Sequence, residues 1–396
     1  MPHPRRSSRT IDTEAVVELD VPDSEVNSET PPYWQLILRR RRSLWSVYLA
    51  IGLLVTTGVA SEHETDMKKV IRSVHAMGTR LTLEVSAPDR AMALAASEAA
   101  LDAVEAAEAR LSTWRGGSEL DRLNRAAVGE WVVISPKLAR EFAIALEWAV
   151  QTDGAFDPVV GSLVAAWDLR GDGAIPGEQQ LADLRATTGH QLFEFEDRRV
   201  RRLKAGAIID EGGFGKGAGL RDAVAVAIEA GAGCLSIDFG GQLVMTPDCG
   251  PVTVLVADPR DRTAGVAEIL VHGGSVATSG NSERELEVDG RRIGHVLDPR
   301  NGRPVPDWGA VTVLARDPLD ADCLATALFV MGPDDGLRWL EDVEGIEAVF
   351  VVVVPGGVVD LRATSGIDMR RCGRLTPAST DDQRADQQSV LDVLDE

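Results

Sequence analysis

Asp210-Glu-Gly-Gly-Phe-Gly-Lys-Gly-Ala-Gly219 is the stretch on which the fold of this chain turns. The local pattern predicts a strand over 206–210, a tight turn and a helix over 216–231. Gly212, Gly213, Gly215 and Gly217 let backbone approach a ligand closely. The helix N-terminus offers free N–H groups and a positive dipole end, and Lys216 adds a point charge, which together suit a phosphate. Yet the segment is neither GxxxxGK[ST] nor GxGxxG, and no βαβ unit surrounds it. A doubly wound, nucleotide-binding sheet is therefore not indicated. Taken alone, the segment reads equally well as a turn with no ligand.

Working outward, strands are expected at 80–85, 131–134, 233–238, 252–257, 265–271 and 310–316. In the first of these Leu81, Leu83 and Val85 alternate with Thr82 and Glu84. Strands at 284–288 and 291–297 flank Asp289-Gly290, a hairpin signal. A last pair at 348–354 and 358–361 turns through Pro355-Gly356-Gly357. Asp89 caps an Ala-rich helix to about 111, and Ser135-Pro136 opens another to about 151. Further helices fit 319–331 and 333–342. Strands and helices mix without regular alternation, so the fold class is α+β, with mixed sheets and packed helices.

The chain has 396 residues, 44% of them hydrophobic, enough for one large domain or two ordinary ones. A formal net charge of −21 excludes nucleic acid as a partner, since phosphate contacts need clustered Lys and Arg. Cys234, Cys249, Cys323 and Cys372 are widely spaced, with no Cys/His cluster for zinc. One disulfide has room to form, with no pairing assigned.

Residues 1–38 are polar and read as a disordered cytoplasmic tail. Arg39 to Arg42 precede the uncharged SLWSVYLAIGLLVTTGVA of residues 43–60. That length just spans a hydrocarbon core of about 30 Å, and the arginines orient the N-terminus inside. Gly58-Val59-Ala60 offers a small-x-small cleavage site, but the preceding region is long for a signal peptide, so an uncleaved anchor is expected. Residues 61–67 form a linker, 68–375 the folded domain and 376–396 an acidic disordered tail.

Three further features carry chemistry. Asp322 and Thr326 share a helix face, where a carboxylate and a hydroxyl can hold a hard cation; an acidic first turn is the plainer reading. His295 lies in Gly294-His-Val-Leu-Asp-Pro-Arg-Asn-Gly302, read as a strand ending in a turn, and suits either a general base or a structural role. Gly154-Ala-Phe-Asp157, Ala277-Thr-Ser-Gly-Asn281 and Gly240-Gly241 are small-residue turns that admit a ligand.

In order, Ala76-Met-Gly-Thr79, Ser118-Glu-Leu-Asp-Arg-Leu-Asn124, Gly154-Ala-Phe-Asp157, Asp210 to Gly217, Gly240-Gly241, Ala277-Thr-Ser-Gly280, His295-Val-Leu-Asp-Pro299 and Asp322 to Thr326 resemble the ApbE family of FAD:protein FMN transferases. The resemblance covers roughly residues 68–362. It implies an enzyme that binds FAD and Mg²⁺, transfers FMN to a Thr or Ser hydroxyl of a partner protein and releases AMP. It implies Asp322, Thr326 and the carbonyl of Gly215 as metal ligands, and His295 as the catalytic histidine. It places Met77, Trp114, Ala155, Phe156, Asp157, Gly212, Ala218 and Val296 against FAD, with Lys216 near phosphate. Phe156 then either stacks on the flavin or fills core. The partner it implies is an acceptor flavoprotein of an extracytoplasmic electron-transfer system, met on the periplasmic side of a bacterial inner membrane.

Gln242 and Asn281 stand where the family often has Asp, and Ala218 where it often has a large aromatic. These departures bear on flavin grip and acceptor choice. FAD pyrophosphatase activity, with water as acceptor, fits the same residues. A non-catalytic FAD-binding module and an anchored structural protein are the remaining readings.

Overall fold

The computed structural model describes residues 67–375, apart from 115 and 284. The tail over 1–38, the basic block and apolar segment at 39–60, the linker up to 66 and the acidic tail from 376 lie outside the described residues. Among the described residues no helix is long and apolar enough to cross a membrane.

An eight-stranded sheet forms the spine. Its strands are Lys68–Ala76 (β1), Thr79–Ala87 (β2), Cys234–Phe239 (β3), Gln242–Met245 (β4), Gly274–Gly280 (β5), Gly309–Ala315 (β6), Ile346–Val354 (β7) and Val358–Ala363 (β8). Their spatial order is their chain order, and each neighbouring pair is antiparallel. The expected α+β class of sheets with packed helices holds, and the strand pairs within this sheet are all antiparallel. Each long insertion returns the chain to the end of the sheet it left, so the next strand runs back antiparallel.

The insertions carry the principal helices: Arg90–Leu111 (α1), Pro136–Gln151 (α2), Gly215–Glu229 (α3), Pro318–Met331 (α4) and Pro333–Leu340 (α5). Asp89 accepts the Met92 N–H at 2.8 Å and starts α1, while the Ser135 hydroxyl accepts from Leu138 N at 3.2 Å and starts α2. Leu81, Leu83 and Val85 of β2 pack on Ala96, Ala100 and Val104 of α1 and on Leu220 and Ala223 of α3. Small alanines let these helices approach each other closely. Farther along, Val311, Val313, Ala348 and Phe350 pack on Leu324 and Leu328 of α4 and Phe142 of α2. The other face of β7 carries Val349 and Val351 onto a three-stranded sheet of 252–258, 261–271 and 369–375. A strand buried on both faces reads as the continuous apolar run seen at 348–354.

The Asp289-Gly290 hairpin forms as expected, with φ of 52° and 72° at its two central residues. Residues 206–210 do not form the expected strand. Their backbone groups bond instead to loops and a side chain: Gly161 N to Ile208 O at 2.9 Å, Asp210 N to Pro158 O at 2.8 Å, and Ile209 N to Asn124 Oδ1 at 2.9 Å. The expected strand at 291–297 divides into Arg291–Gly294 and Leu297–Asp298, each pairing in its own hairpin. Cys234 and Cys249 form a disulfide that ties β3 to the turn after β4.

Candidate active site

Helices α3 and α4 meet at Gly217. A Cβ there would lie 2.5 Å from Pro318 O and 2.9 Å from Asp322 Cβ, so this approach admits only glycine. Asp317 caps α4 by accepting from Leu319 N at 2.9 Å, and Pro318 occupies its first turn. Asp322 is thereby set opposite the start of α3. Its Oδ2 accepts the Gly217 N–H at 2.8 Å, and Lys216 Nζ stands 3.5 Å from Oδ1. The carboxylate is buried, and a helix N-terminus with a lysine balances its charge. Thr326, one turn along α4, donates its hydroxyl to Asp322 O at 3.4 Å.

Before α3, the Gly-rich loop is held by acidic side chains. Asp210 Oδ1 accepts from Gly212 N at 2.9 Å and its Oδ2 pairs with Arg170. Glu211 accepts from Thr113 N at 3.0 Å and from the Thr113 hydroxyl. Burial pushes the Glu211 carboxyl above its ordinary value, and the charge of Asp210 adds to that. Asp153 and Gly154, with φ of 50° and 72°, turn the chain after α2 and deliver Ala155-Phe156-Asp157. Phe156 belongs to the core yet keeps a ring edge on the site. Asp157 is spent on structure: Oδ1 accepts from Val159 N at 2.8 Å, and Oδ2 meets His190 N at 2.8 Å and Nδ1 at 2.7 Å. His295 and Val296 lie between two short hairpins, and Val296 O accepts from Val305 N at 2.9 Å.

These segments enclose a cleft of about 220 Å³. Its walls include Trp114, Ala155, Phe156, Asp157, Gly212, Lys216, His295, Val296, Asp322 and Thr326. Three residues anticipated from the sequence stand outside the lining. Met77 packs beside the α1–α3 core, Ala218 is buried within α3, and Gly215 bonds through its N–H to Glu211 O at 2.7 Å. Arg170, Asp210 and Ser279 are polar members of the same wall. Asp210 and Ser279 fall inside quoted motifs, whereas Arg170 sits in the turn Asp168-Leu-Arg-Gly171, which carries no sequence signal. Among the described residues no three His, Cys, Asp or Glu side chains cluster to hold a metal; around Asp322 the oxygen donors are its own carboxylate, the Thr326 hydroxyl and backbone.

The family model described as "ApbE family" matches residues 77–350, most of the described domain and every wall of the cleft. The chain belongs to the ApbE family. An FAD:protein FMN transferase of Klebsiella pneumoniae (strain 342) is 30% identical over 292 residues, covering 71% of this chain and 83% of that protein. The crystal structure of the ApbE protein from Thermotoga maritima superposes with a TM-score of 0.67 at 30% identity, covering 74% of this chain and 96% of that one. The flavin transferase ApbE from Vibrio cholerae gives 0.65 at 25% identity, over 76% and 98%. Five of the eight ordered blocks read from the sequence line this one cleft, whereas 76–79, 118–124 and 240–241 lie outside its lining.

Proposed function

We infer that this ApbE-family enzyme is an FAD:protein FMN transferase. The carrying observation is the joining of Lys216, His295, Asp322 and Thr326 in one cleft with the Gly-rich turn. In the reaction an acceptor hydroxyl oxygen attacks the FMN phosphorus of FAD. A new P–O bond forms, the pyrophosphate bridge breaks, and AMP leaves with the bridging oxygen.

Each residue has a task under this reading. His295 accepts the hydroxyl proton, which leaves the oxygen nucleophilic as it attacks. Lys216 and the start of α3 hold the negative charge that gathers on the pyrophosphate. Trp114, Phe156 and Val296 give the flat rings an apolar seat. Asp157, fixed by Val159 and His190, keeps the Phe156 turn in register.

Asp322 and Thr326, with the Gly215 carbonyl, fit Mg²⁺ by donor chemistry, since a hard cation takes carboxylate, hydroxyl and carbonyl oxygen. Lys216 at 3.5 Å is a loose partner for Asp322, so a cation can take its place beside Oδ1. Bound there, Mg²⁺ would supply Lewis-acid stabilisation of the phosphoryl oxygens and the leaving phosphate.

The acceptor is proposed to be a flavoprotein of an extracytoplasmic electron-transfer system. The enzyme is proposed to be anchored through residues 43–60 with its domain on the periplasmic side. The arginines at 39–42 support that orientation, and the Cys234–Cys249 disulfide suits an oxidising compartment.

Co-expression with a candidate acceptor, followed by mass spectrometry, tests the activity. A covalent FMN adduct on Thr or Ser is expected. Free FMN and AMP with no adduct would instead establish a pyrophosphatase. Asp322→Ala should slow AMP release by at least about 100-fold, and an unchanged rate would dismiss the metal assignment.

A further inference from the structure

Among the described residues the cleft lining holds two cationic side chains, Lys216 and Arg170. Lys216 faces Asp322, whereas Arg170 faces Asp210 and the Trp114 ring. Its guanidinium is fixed on three sides. It forms an ion pair with Asp210, its Nη2 donates to Thr113 Oγ1 at 2.6 Å, and its Cζ lies 4.4 Å from the centre of the Trp114 ring. Trp114 is 60% exposed, so little else restrains the indole. Arg170 covers one face of it, and the indole otherwise stays largely exposed on the cleft wall. Asp210, on the far side of Arg170, holds the Gly212 N–H at 2.9 Å. Arg170 therefore reinforces, together with the Glu211–Thr113 bonds, the link between the Trp114 loop and the Gly-rich loop. A planar guanidinium suits both contacts, because it stacks flat on an aromatic ring while its edge forks toward a carboxylate.

We propose that Arg170 is a positioning residue for FAD. It sets the plane of Trp114 so that the exposed indole receives a flat ring of the dinucleotide, and through Asp210 it keeps the Gly212 backbone aimed into the cleft. The proposal rests on FAD being the ligand of this cleft, as inferred above.

A double-mutant cycle tests it. FAD is titrated by calorimetry into the parent, Arg170→Ala, Trp114→Ala and the double variant, and KM and kcat are measured for each. Arg170→Ala should weaken FAD binding about tenfold, the scale of one lost cation–π contact with a charge-assisted hydrogen bond. The rise in KM should exceed any fall in kcat. In the Trp114→Ala background, removing Arg170 should cost clearly less than in the parent, because only the route through Asp210 to Gly212 remains. Arg170→Lys keeps the charge but not the plane, and should recover little of the loss. Arg170→Gln, which keeps a donor for Thr113, should show the same loss and serves if the alanine variant folds poorly. Binding of the Arg170 variants at parental affinity would overturn the proposal, as would losses that multiply in the double variant. A parent that binds no FAD would overturn the functional reading as well; a parent that binds while Arg170→Ala is unchanged would overturn Arg170's role alone.

Discussion

Gly217→Ala places one methyl group at the narrowest point between α3 and α4. The new Cβ would stand 2.5 Å from Pro318 O, 2.7 Å from Leu319 Cα and 2.9 Å from Asp322 Cβ. Two of these are backbone atoms, so no side-chain rotation relieves them. Ordinary contact begins near 3.4 Å, and the helices must part by about 0.9 Å. Overpacking of this kind costs about 1–3 kcal/mol. Parting also stretches the 2.8 Å bond from Gly217 N to Asp322, a charge-assisted contact of about 1.5–3 kcal/mol. Alanine's better helix propensity offsets about 1 kcal/mol of that. The net expectation is a loss of about 2–4 kcal/mol. Because Asp322 shifts with the helix, AMP release should fall about 100-fold. Gly219, two residues on, is the control. A Cβ there meets Met77 Cε at 3.5 Å and Ala107 Cβ at 3.7 Å, so Gly219→Ala should be neutral or stabilising by up to about 1 kcal/mol. Urea midpoints at constant m give the stabilities, and AMP release from FAD gives the activity. Equal midpoints for the two variants would refute the close-approach argument, whatever the activities.

Two further outcomes are expected. Replacing Cys234 and Cys249 by alanine opens a loop with a sequence separation of 15 and should cost about 3 kcal/mol in the urea midpoint, a difference that reductant abolishes in the parent. Burial pushes the Glu141 carboxyl above its ordinary 4.5 in spite of Arg110; burial also opposes Arg110's charge, yet Glu141 and Asp222 hold that guanidinium above its usual value. Arg110 stays charged throughout, so Glu141 governs the pH dependence. A raised folded value means a contribution fully present below 4.5 and lost as pH rises through the folded pKa. The stability advantage of the parent over Glu141→Gln should therefore shrink as pH rises above 4.5. A gap that widens with pH would reverse the sign.

Local signals were legible where the cause was local. Asp89 and Ser135 start their helices because their side chains reach backbone N–H groups within three residues. Leu81, Leu83 and Val85 share a face because a strand has a period of two. Residues 206–210 resemble a sheet strand in their apolar run, while their hydrogen bonds go to loops and Asn124. Site residues inside ordered motifs could be found, but the fit of Gly217 against Pro318 depends on two helices meeting, and no window of sequence holds both. The same holds for Arg170, whose partners Thr113, Trp114 and Asp210 lie in two other loops. The pairing of Cys234 with Cys249 required the register of β3 against β4.

The cleft draws its walls from points as distant along the chain as Trp114 and Thr326. No half of the molecule contains a working fraction of it. A chain still emerging N-terminus first presents the Gly-rich turn long before Asp322 arrives, so under the proposed roles turnover must wait for α4. Turnover would then report that the segments on either side of the cleft have met. Conversely, two fragments divided at the Asp289-Gly290 hairpin would each be silent, and recovered turnover would report only their reunion.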